Sequence, residues 1–228
     1  MAEIKAVIFD WGGVLIDDPL PGLMQYCADA LGVSKEDYIK AHNKFADDFT
    51  RGIICEKTFW DKVCGALGKP VPKTTSLWGN AFRAVYRPRA DMFSLVLSLH
   101  KAGYKTAFLS NTEVSSVEFF HSSFAGLRRT DTTEKDRLKY NQNSGKAFAL
   151  TSMFDVLVFS CDEGTVKPER KIYEIAVERL GSRMEQTLFI DDKQEFINAA
   201  KKIGFNAILF NNIKQLKNEL MRFGVQID

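Results

Sequence analysis

The chain has 228 residues, of which 45% are hydrophobic and 26% charged, enough apolar material for one large domain or for a core domain with an insertion. A formal net charge of +2 provides no basic field over the whole chain, so nucleic-acid binding is not expected. The four scattered cysteines lack the spacing of a zinc site or a disulfide scaffold and fit buried thiols in a reducing compartment.

The first residues run directly into an apolar segment. There is no signal peptide pattern, and no apolar stretch is long enough to span a bilayer, so we expect a cytoplasmic protein without a membrane partner. Monomer and homodimer are both compatible with the sequence.

Five short apolar runs predict the strands of the fold. Each has four residues, is continuous rather than alternating, and is rich in branched or aromatic side chains, which is typical of strands buried on both faces. Helix-like segments separate them, so the sequence predicts an α/β fold with a doubly wound parallel sheet. The predicted strands are Ala6–Phe9, Thr106–Leu109, Val156–Phe159, Thr187–Ile190 and Ala207–Phe210. The predicted helices are Met92–Ala102, Glu113–Phe124, Glu169–Leu180, Gln194–Ile203 and Ile213–Phe223.

The long interval between the first two strands breaks this alternation. It contains no good strand but several amphipathic segments, which predict a small all-helical cap domain at residues 18–87, inserted into a core formed by residues 1–17 and 88–228. Proline-containing segments near Asp18 and Arg87 are the expected hinges between the two domains. The amphipathic segments are Gly22–Leu31, Lys35–Phe49, Glu56–Ala66 and Leu77–Tyr86.

Polar residues suited to a single reaction follow four of the predicted strands. In a doubly wound sheet, ligands bind beyond the carboxyl ends of the strands, so we expect these residues to meet. One aspartate after a strand could be only a helix cap, but four polar groups at successive strand ends in this order are improbable by chance. They are Asp10, the run Ser110-Asn111-Thr112, Lys167 and the pair Asp191-Asp192.

The residue types at these positions indicate phosphoryl transfer. Asp10, ionised at neutral pH, can attack phosphorus and form an aspartyl-phosphate. Lys167 and the hydroxyl groups of Ser110 or Thr112 can neutralise the phosphate oxygens. Asp191 and Asp192 would repel Asp10 unless a hard cation lay between them, and Mg²⁺ is the natural choice. The carbonyl group of Gly12 could complete its coordination.

These motifs resemble those of the haloacid dehalogenase-like superfamily, and the resemblance covers nearly the whole chain. The segments Leu-Ser-Asn-Thr, Val-Lys-Pro-Glu and Phe-Ile-Asp-Asp match family signatures. The resemblance is strongest to phosphatases of subfamily IA with a helical C1 cap, and to the subgroup that includes α-glucose-1-phosphate phosphatase. It implies a magnesium-dependent phosphatase acting on a small phosphorylated metabolite, such as a sugar phosphate. It assigns catalysis to Asp10, Ser110 and Lys167, substrate contacts to Trp11, Gly12, Asn111 and Thr112, and the metal to Asp10, Gly12, Asp191 and Asp192.

Gly12 departs from the family pattern, in which most phosphatases have a second aspartate at this position. That aspartate protonates the leaving group and then activates water, and such acid–base help is worth about 10²–10⁴-fold in rate. We expect Asp17, Asp18, a cap residue or an ordered water to replace it, or the enzyme to act on substrates with good leaving groups.

Several alternatives remain open on the sequence alone. A haloacid dehalogenase needs no second aspartate, but the Asp191-Asp192 pair disfavours it. A phosphonoacetaldehyde hydrolase would form a Schiff base with a cap lysine such as Lys40, Lys44 or Lys57. A phosphomutase would need the missing acid more than a phosphatase does. A non-catalytic phosphometabolite-binding protein would not require the Asp10 nucleophile.

The segment 126–150 is polar and non-periodic, with six Lys/Arg and three Asp/Glu residues. We expect an exposed loop there, with a contact to substrate or partner as the alternative.

Overall fold

The computed structural model describes residues 2–123 and 153–227, and the predicted loop at 126–150 lies outside them. Five strands are present, and each agrees with its predicted counterpart to within one residue at either end. They are β1 (Ala6–Phe9), β2 (Lys105–Ser110), β3 (Val156–Phe159), β4 (Thr187–Asp191) and β5 (Asn206–Leu209).

The strands form one parallel sheet in the order β3-β2-β1-β4-β5, as the doubly wound prediction requires. Successive side chains of a strand point to opposite faces, and β1 contributes to a separate apolar cluster on each. Val7 and Phe9 join one cluster, while Ala6 and Ile8 join the other. Burial on both faces explains why the strand sequences are continuously apolar.

Helices cover both faces of this sheet. The helices that follow residue 88 are α6 (Ala90–Lys101), α7 (Val114–Ser123), α8 (Ser160–Glu163), α9 (Arg170–Leu180), α10 (Gln194–Lys202) and α11 (Ile213–Arg222), with a short 3₁₀ turn at Met184–Gln186. Buried residues of α9 and α10 pack in the cluster that contains Ile8, and those of α6 and α11 pack in the cluster that contains Phe9.

Five helices occupy the interval between β1 and β2. They are α1 (Leu20–Leu31), α2 (Lys35–His42), α3 (Ala46–Thr50), α4 (Glu56–Leu67) and α5 (Leu77–Val85). Their aromatic residues pack together: the rings of Phe49 and Phe59 are stacked at 4.3 Å, and the Trp78 ring lies 5.5 Å from Phe49. The regular secondary structure of this segment is helical, and its division from the core as a cap domain stays a prediction.

The prediction of one continuous segment over Lys35–Phe49 was wrong. After α2 the amide of Lys44 donates to the carbonyl of Ala41, and that of Phe45 to His42, so the chain tightens into three-residue turns. At Phe45 the backbone then leaves the helical region, with φ −130° and ψ −1°, before α3 begins.

The two crossings between this helical segment and the sheet lie side by side. The amide of Asp17 donates to the carbonyl of Arg87, and the amide of Arg89 donates to that of Leu15, each at 3.0 Å. The Arg89 guanidinium also contacts Asp17 Oδ1 at 2.9 Å and the carbonyl of Gly13 at 2.8 Å. The two predicted hinges thus meet in one place.

None of the helices within residues 2–123 and 153–227 has the length and apolar character needed to cross a membrane.

Candidate active site

Lys167 lies at the centre of the site, between two aspartates from neighbouring strands. Its Nζ atom is 2.6 Å from Asp10 Oδ1, just after β1, and 2.7 Å from Asp191 Oδ2, the last residue of β4. The Lys167 side chain is 1% exposed and that of Asp191 0%. Because β1 and β4 are adjacent and parallel, their carboxyl ends bring the two carboxylates to the same edge of the sheet.

Asn111 fixes the backbone of Lys167. Its side-chain Nδ2 donates to the Lys167 carbonyl at 2.9 Å, and its Oδ1 accepts the Lys167 amide at 2.8 Å. Both ends of the Asn111 amide therefore serve to place the lysine. The sequence predicts a substrate contact for Asn111, which stays a prediction, and the observed bonds add that Asn111 positions Lys167.

The electrostatics of this group follow from its burial. Burial raises the pKa of Asp10 to about 7; the Lys167 ammonium opposes this and the Asp191 carboxylate adds to it. Burial would lower the pKa of Lys167, but Asp10 and Asp191 together raise it above its usual range. Lys167 therefore remains an ammonium group.

Asp192 adds a third carboxylate beside this pair. Ligand oxygens of Asp10, Asp191 and Asp192 all lie within 4.8 Å of one another. Asp192 Oδ1 is buried and has no hydrogen-bond partner among residues 2–123 and 153–227. Burial, and next the charge of Asp191, raise the pKa of Asp192. An orphaned carboxylate oxygen in a cluster of three acids fits a hard cation such as Mg²⁺.

The two aspartates of the β4 pair differ in their bonding. Asp191 Oδ2 accepts from Lys167, and its Oδ1 accepts the backbone amide of Lys193 at 2.8 Å. Asp192 Oδ1 has no such partner among the described residues, so Asp192 is the better placed of the two to bind a metal ion.

Gly13 makes room for Asp192. A Cβ atom on Gly13 would lie 2.1 Å from Asp192 Oδ2, and the backbone φ of +84° is one that other residues rarely adopt. The glycine at position 13 is therefore needed for the close approach of the loop to the acid cluster.

Gly12 and Trp11 lie between the site and the helical segment. A Cβ atom on Gly12 would be 3.0 Å from Pro19 Cδ, closer than ordinary contacts. The Trp11 ring is buried and packs 4.9 Å from Phe82 of α5 and 5.3 Å from Phe108 of β2.

A cavity of about 120 Å³ opens above these groups. Seven of the nine catalytic, substrate and metal residues proposed from sequence line this cavity: Asp10, Trp11, Gly12, Ser110, Asn111, Thr112 and Lys167. The other two are Asp191 and Asp192, which touch the site through Lys167 and the acid cluster. Thr112 is fixed by its amide, which donates to Ser160 Oγ at 2.8 Å.

Sequence reasoning missed several residues of the cavity lining. Glu113 and Lys193 directly follow the Ser-Asn-Thr and Asp-Asp motifs, and this adjacency was the available signal. Leu20 and Leu23 of α1 and Trp78 and Phe82 of α5 also line the cavity, but no motif marks them.

Glu113 links the site to the helical segment. Its Oε1 accepts the Thr50 hydroxyl at 3.0 Å and its Oε2 accepts Trp78 Nε1 at 3.0 Å. Burial raises the pKa of Glu113, against the lowering effect of these hydrogen bonds.

The family model for haloacid dehalogenase-like hydrolases matches residues 4–204. This chain is a haloacid dehalogenase-like (HAD-like) hydrolase.

Two curated relatives illustrate the range of proteins that share this HAD-like sequence. Bifunctional epoxide hydrolase 2 of Rattus norvegicus is 24% identical over 95% of the chain, which spans only 38% of that protein. Sesquiterpene phosphatase astK of Aspergillus oryzae is 26% identical, with 88% of this chain and 86% of the relative covered.

Solved structures share the fold of this HAD-like hydrolase at low sequence identity. A HAD-like hydrolase from Porphyromonas gingivalis has a TM-score of 0.74 at 23% identity, covering 99% and 100% of the two chains. A HAD family enzyme from Bacteroides thetaiotaomicron, in complex with magnesium and inorganic phosphate, has a TM-score of 0.68 at 19% identity, covering 93% and 98%. The L-2-haloacid dehalogenase from Xanthobacter autotrophicus, with chloropropionic acid covalently bound, has a TM-score of 0.58 at 19% identity, covering 98% and 84%.

Proposed function

We propose that this HAD-like hydrolase is a magnesium-dependent phosphatase that acts on a small phosphorylated metabolite through an aspartyl-phosphate intermediate. The observation that carries the proposal is the Asp10 carboxylate, held 2.6 Å from Lys167 at the floor of a cavity and close to Asp191 and Asp192. Asp10 would be the nucleophile and Lys167 the fixed cation beside it.

The proposed reaction has two steps at phosphorus. The Asp10 carboxylate forms a bond to phosphorus while the bond to the leaving oxygen breaks, and that oxygen takes up a proton. Water then attacks the phosphorus of the aspartyl-phosphate, which releases inorganic phosphate and restores the carboxylate. The hydroxyl groups of Ser110 and Thr112 and the Lys167 ammonium would hold the phosphate oxygens during both steps.

Asp10, Asp192 and the carbonyl group of Gly12 are the proposed magnesium ligands, with Asp191 holding Lys167 and completing the acid cluster. When bound, Mg²⁺ would neutralise the carboxylates and the charge that develops on the phosphoryl oxygens. The magnesium and phosphate in the Bacteroides thetaiotaomicron relative support this choice of cation.

The acid that would replace the missing aspartate at Gly12 is proposed to be Asp18. Asp18 contributes to the cavity lining, whereas Asp17 lies outside it and contacts Arg89 at 2.9 Å. Of the two carboxylates proposed from sequence, Asp18 is the one in the cavity lining, and its Oδ1 accepts the Leu20 amide at 3.1 Å.

The helical segment 18–87 is proposed to be a cap of the C1 type that closes over the site, as in subfamily IA. Its contacts with the cavity through α1 and α5 support this role. Resemblance to the glucose-1-phosphate phosphatase subgroup, a cytoplasmic location, and a monomeric or homodimeric state remain predictions from the sequence.

Dehalogenation is the second candidate. The covalent complex of the Xanthobacter autotrophicus relative and the glycine at position 12 favour it, because loss of a halide needs no acid. The additional Asp191–Asp192 pair favours phosphate chemistry instead. Schiff-base chemistry has less support: Lys57 contacts Asp61 at 2.9 Å, and the cavity lining within the described residues includes no lysine from 18–87.

Release of inorganic phosphate tests the proposal. The wild-type protein is incubated with p-nitrophenyl phosphate and acetyl phosphate, with Mg²⁺ or with EDTA, beside the Asp10→Asn variant. We expect magnesium-dependent release by the wild type and none above background by Asp10→Asn. Chloride release from 2-chloropropionate without phosphate release would favour the dehalogenase, and neither activity would favour a binding protein.

A further inference from the structure

The cavity of the candidate active site has a predominantly apolar upper part. Leu23 of α1, Trp78 and Phe82 of α5, and Trp11 line it, and we call these four residues the apolar wall. All four side chains are buried. Leu20, at the start of α1, also contributes to the lining and is 46% exposed, which places it at the cavity rim.

Two polar side chains that line the same space are hydrogen-bonded within the protein. Both the nitrogen and the oxygen of the Asn111 side-chain amide form hydrogen bonds with the Lys167 backbone. The Glu113 carboxylate accepts from Thr50 and Trp78. The reaction-site side chains are assigned to the phosphoryl group and Asp18 to the leaving oxygen, which leaves Lys193 as the remaining charged side chain of the lining for the hydroxyl groups of a sugar.

The polar atom of Trp78 is also occupied. Its Nε1 donates to Glu113 Oε2 at 3.0 Å and to Ser116 Oγ at 3.2 Å, so only ring carbon remains for contact with a substrate. Glu113 thus acts as a positioning residue for one member of the apolar wall.

We propose that the substrate is a phosphate monoester of a compact, apolar alcohol or phenol, whose hydrocarbon part packs against the apolar wall. This inference rests on the proposed phosphatase function and replaces the expectation of a sugar phosphate. Transfer of an apolar group from water into such a space is favourable, whereas burial of a hydroxyl group without a new hydrogen-bond partner is unfavourable. A cavity of about 120 Å³ is small beside typical ligand pockets, which limits the alcohol to a few carbon atoms or one ring.

A homologous series of n-alkyl phosphates tests the inference. Leaving-group acidity changes little from ethyl to pentyl phosphate, so any trend reports contacts to the hydrocarbon. We expect kcat/KM to rise about 4-fold for each methylene group until the cavity is full. A flat or falling trend would overturn the inference.

Propyl phosphate and glycerol 3-phosphate form a matched pair with three carbons each. Glycerol is the more acidic alcohol, so leaving-group chemistry alone favours glycerol 3-phosphate. We expect propyl phosphate to be the better substrate by about 10-fold or more, because two hydroxyl groups lose water on entry. Preference for glycerol 3-phosphate or for a hexose phosphate would show that hydroxyl groups are not penalised in the cavity, and would contradict the inference.

A rim variant links the preference to the structure without disturbing the core. Leu20→Asn should lower the ratio of kcat/KM for pentyl over methyl phosphate by about 3- to 10-fold. Met221→Asn, at a 58% exposed apolar residue of α11 outside the cavity lining, should leave the ratio unchanged. Phe82→Ser, checked for folding by circular dichroism, tests the apolar wall itself. If both Leu20→Asn and folded Phe82→Ser keep the wild-type ratio, the apolar wall does not take part in substrate recognition.

The assay separates this inference from the proposed function. Magnesium-dependent hydrolysis of p-nitrophenyl and acetyl phosphate, together with no dependence on chain length, would leave the phosphatase intact and overturn only the apolar substrate class. Absence of hydrolysis of every phosphate ester would overturn both.

Discussion

The cavity has a lower part at the edge of the sheet and an upper part lined by α1 and α5, and the two are built in different ways. In the lower part, charged side chains follow strands that pair with one another, and hydrogen bonds such as those from Asn111 to Lys167 fix their positions. In the upper part, apolar side chains of α1 and α5 are held by packing, and Trp78 Nε1 donates to both Glu113 and Ser116. We propose that the two parts serve two tasks: the sheet edge carries out the reaction, and the helical segment selects the group attached to the phosphate.

The largest expected effect concerns the lower part. Lys167→Met leaves Asp10 and Asp191 buried without their shared cation, and we expect kcat/KM to fall by about 10²–10³-fold. Loss of one partner from a buried ion pair also lowers the free energy of unfolding, by about 3 kcal/mol. Steady-state kinetics and urea unfolding measure the two effects. Lys57→Met, at an exposed ion pair, is the matched control and should change neither.

The glycine at position 12 lies where the lower and upper parts meet. Gly12→Ala tests space alone, since its Cβ would come within 3.0 Å of Pro19 Cδ, and Gly12→Asp adds the acid. On alkyl phosphates, we expect kcat/KM of Gly12→Asp to exceed that of Gly12→Ala by about 10-fold or more. On acetyl phosphate, whose leaving group needs no proton, the two values should differ little. Equal rates for both variants on every ester would show that a missing acid does not limit the enzyme.

Asp18 and Asp17 provide a closely matched pair for the replacement acid. Asp18→Asn should lower kcat on alkyl phosphates by about 10-fold, while acetyl phosphate is spared. Asp17→Asn should leave these ratios unchanged, since Asp17 contacts Arg89 and lies outside the cavity lining. If both variants keep the wild-type dependence on leaving group, neither carboxylate supplies the proton.

The smallest expected effect concerns the contact of the helical segment with the loop that carries Lys167. Arg51 of the helical segment donates to both carboxylate oxygens of Glu169, and its hydrogen bond lowers the pKa of Glu169 to about 2. A lowered pKa in the folded state stabilises the protein above the ordinary glutamate value, and this contribution is lost as pH falls towards about 2. The Glu169 side chain is 43% exposed and that of Arg51 18%, so solvent screens the pair in part, and Glu169→Gln should cost no more than about 1 kcal/mol at pH 7.

Urea unfolding of wild type and Glu169→Gln between pH 7 and pH 3 checks this expectation. The difference between the two proteins should shrink as pH falls. A difference that grows on acidification would contradict the assignment of the pKa shift to Arg51.

The sequence predicted the sheet and the charged groups because both leave local signals. A continuously apolar strand followed by Asp10 or by Asp191-Asp192 can be read from neighbouring residues, and parallel pairing then brings the strand ends together. The same logic predicted Lys167, although not the role of Asn111 in holding it.

The apolar wall could not be predicted in the same way. Leu23 and Phe82 follow ordinary amphipathic periodicity, and only the packing of α1 against α5 shows that their side chains reach the cavity. The break after α2 does have a weak local signal, since Asn43 follows the basic residues Lys40 and His42 of the last turn, a pattern of helix ends. Tertiary contacts decide which side chains reach the cavity.

Trapping of the phosphorylated enzyme tests the central claim most directly. Wild-type protein with Mg²⁺ is mixed rapidly with p-nitrophenyl phosphate, quenched in acid and digested for peptide mass spectrometry. We predict a phosphoryl group on the peptide that contains Asp10, formed at the rate of p-nitrophenol release and absent from Asp10→Asn. Phosphate release without any such adduct, and with activity retained by Asp10→Asn, would contradict the assignment of Asp10 as the nucleophile.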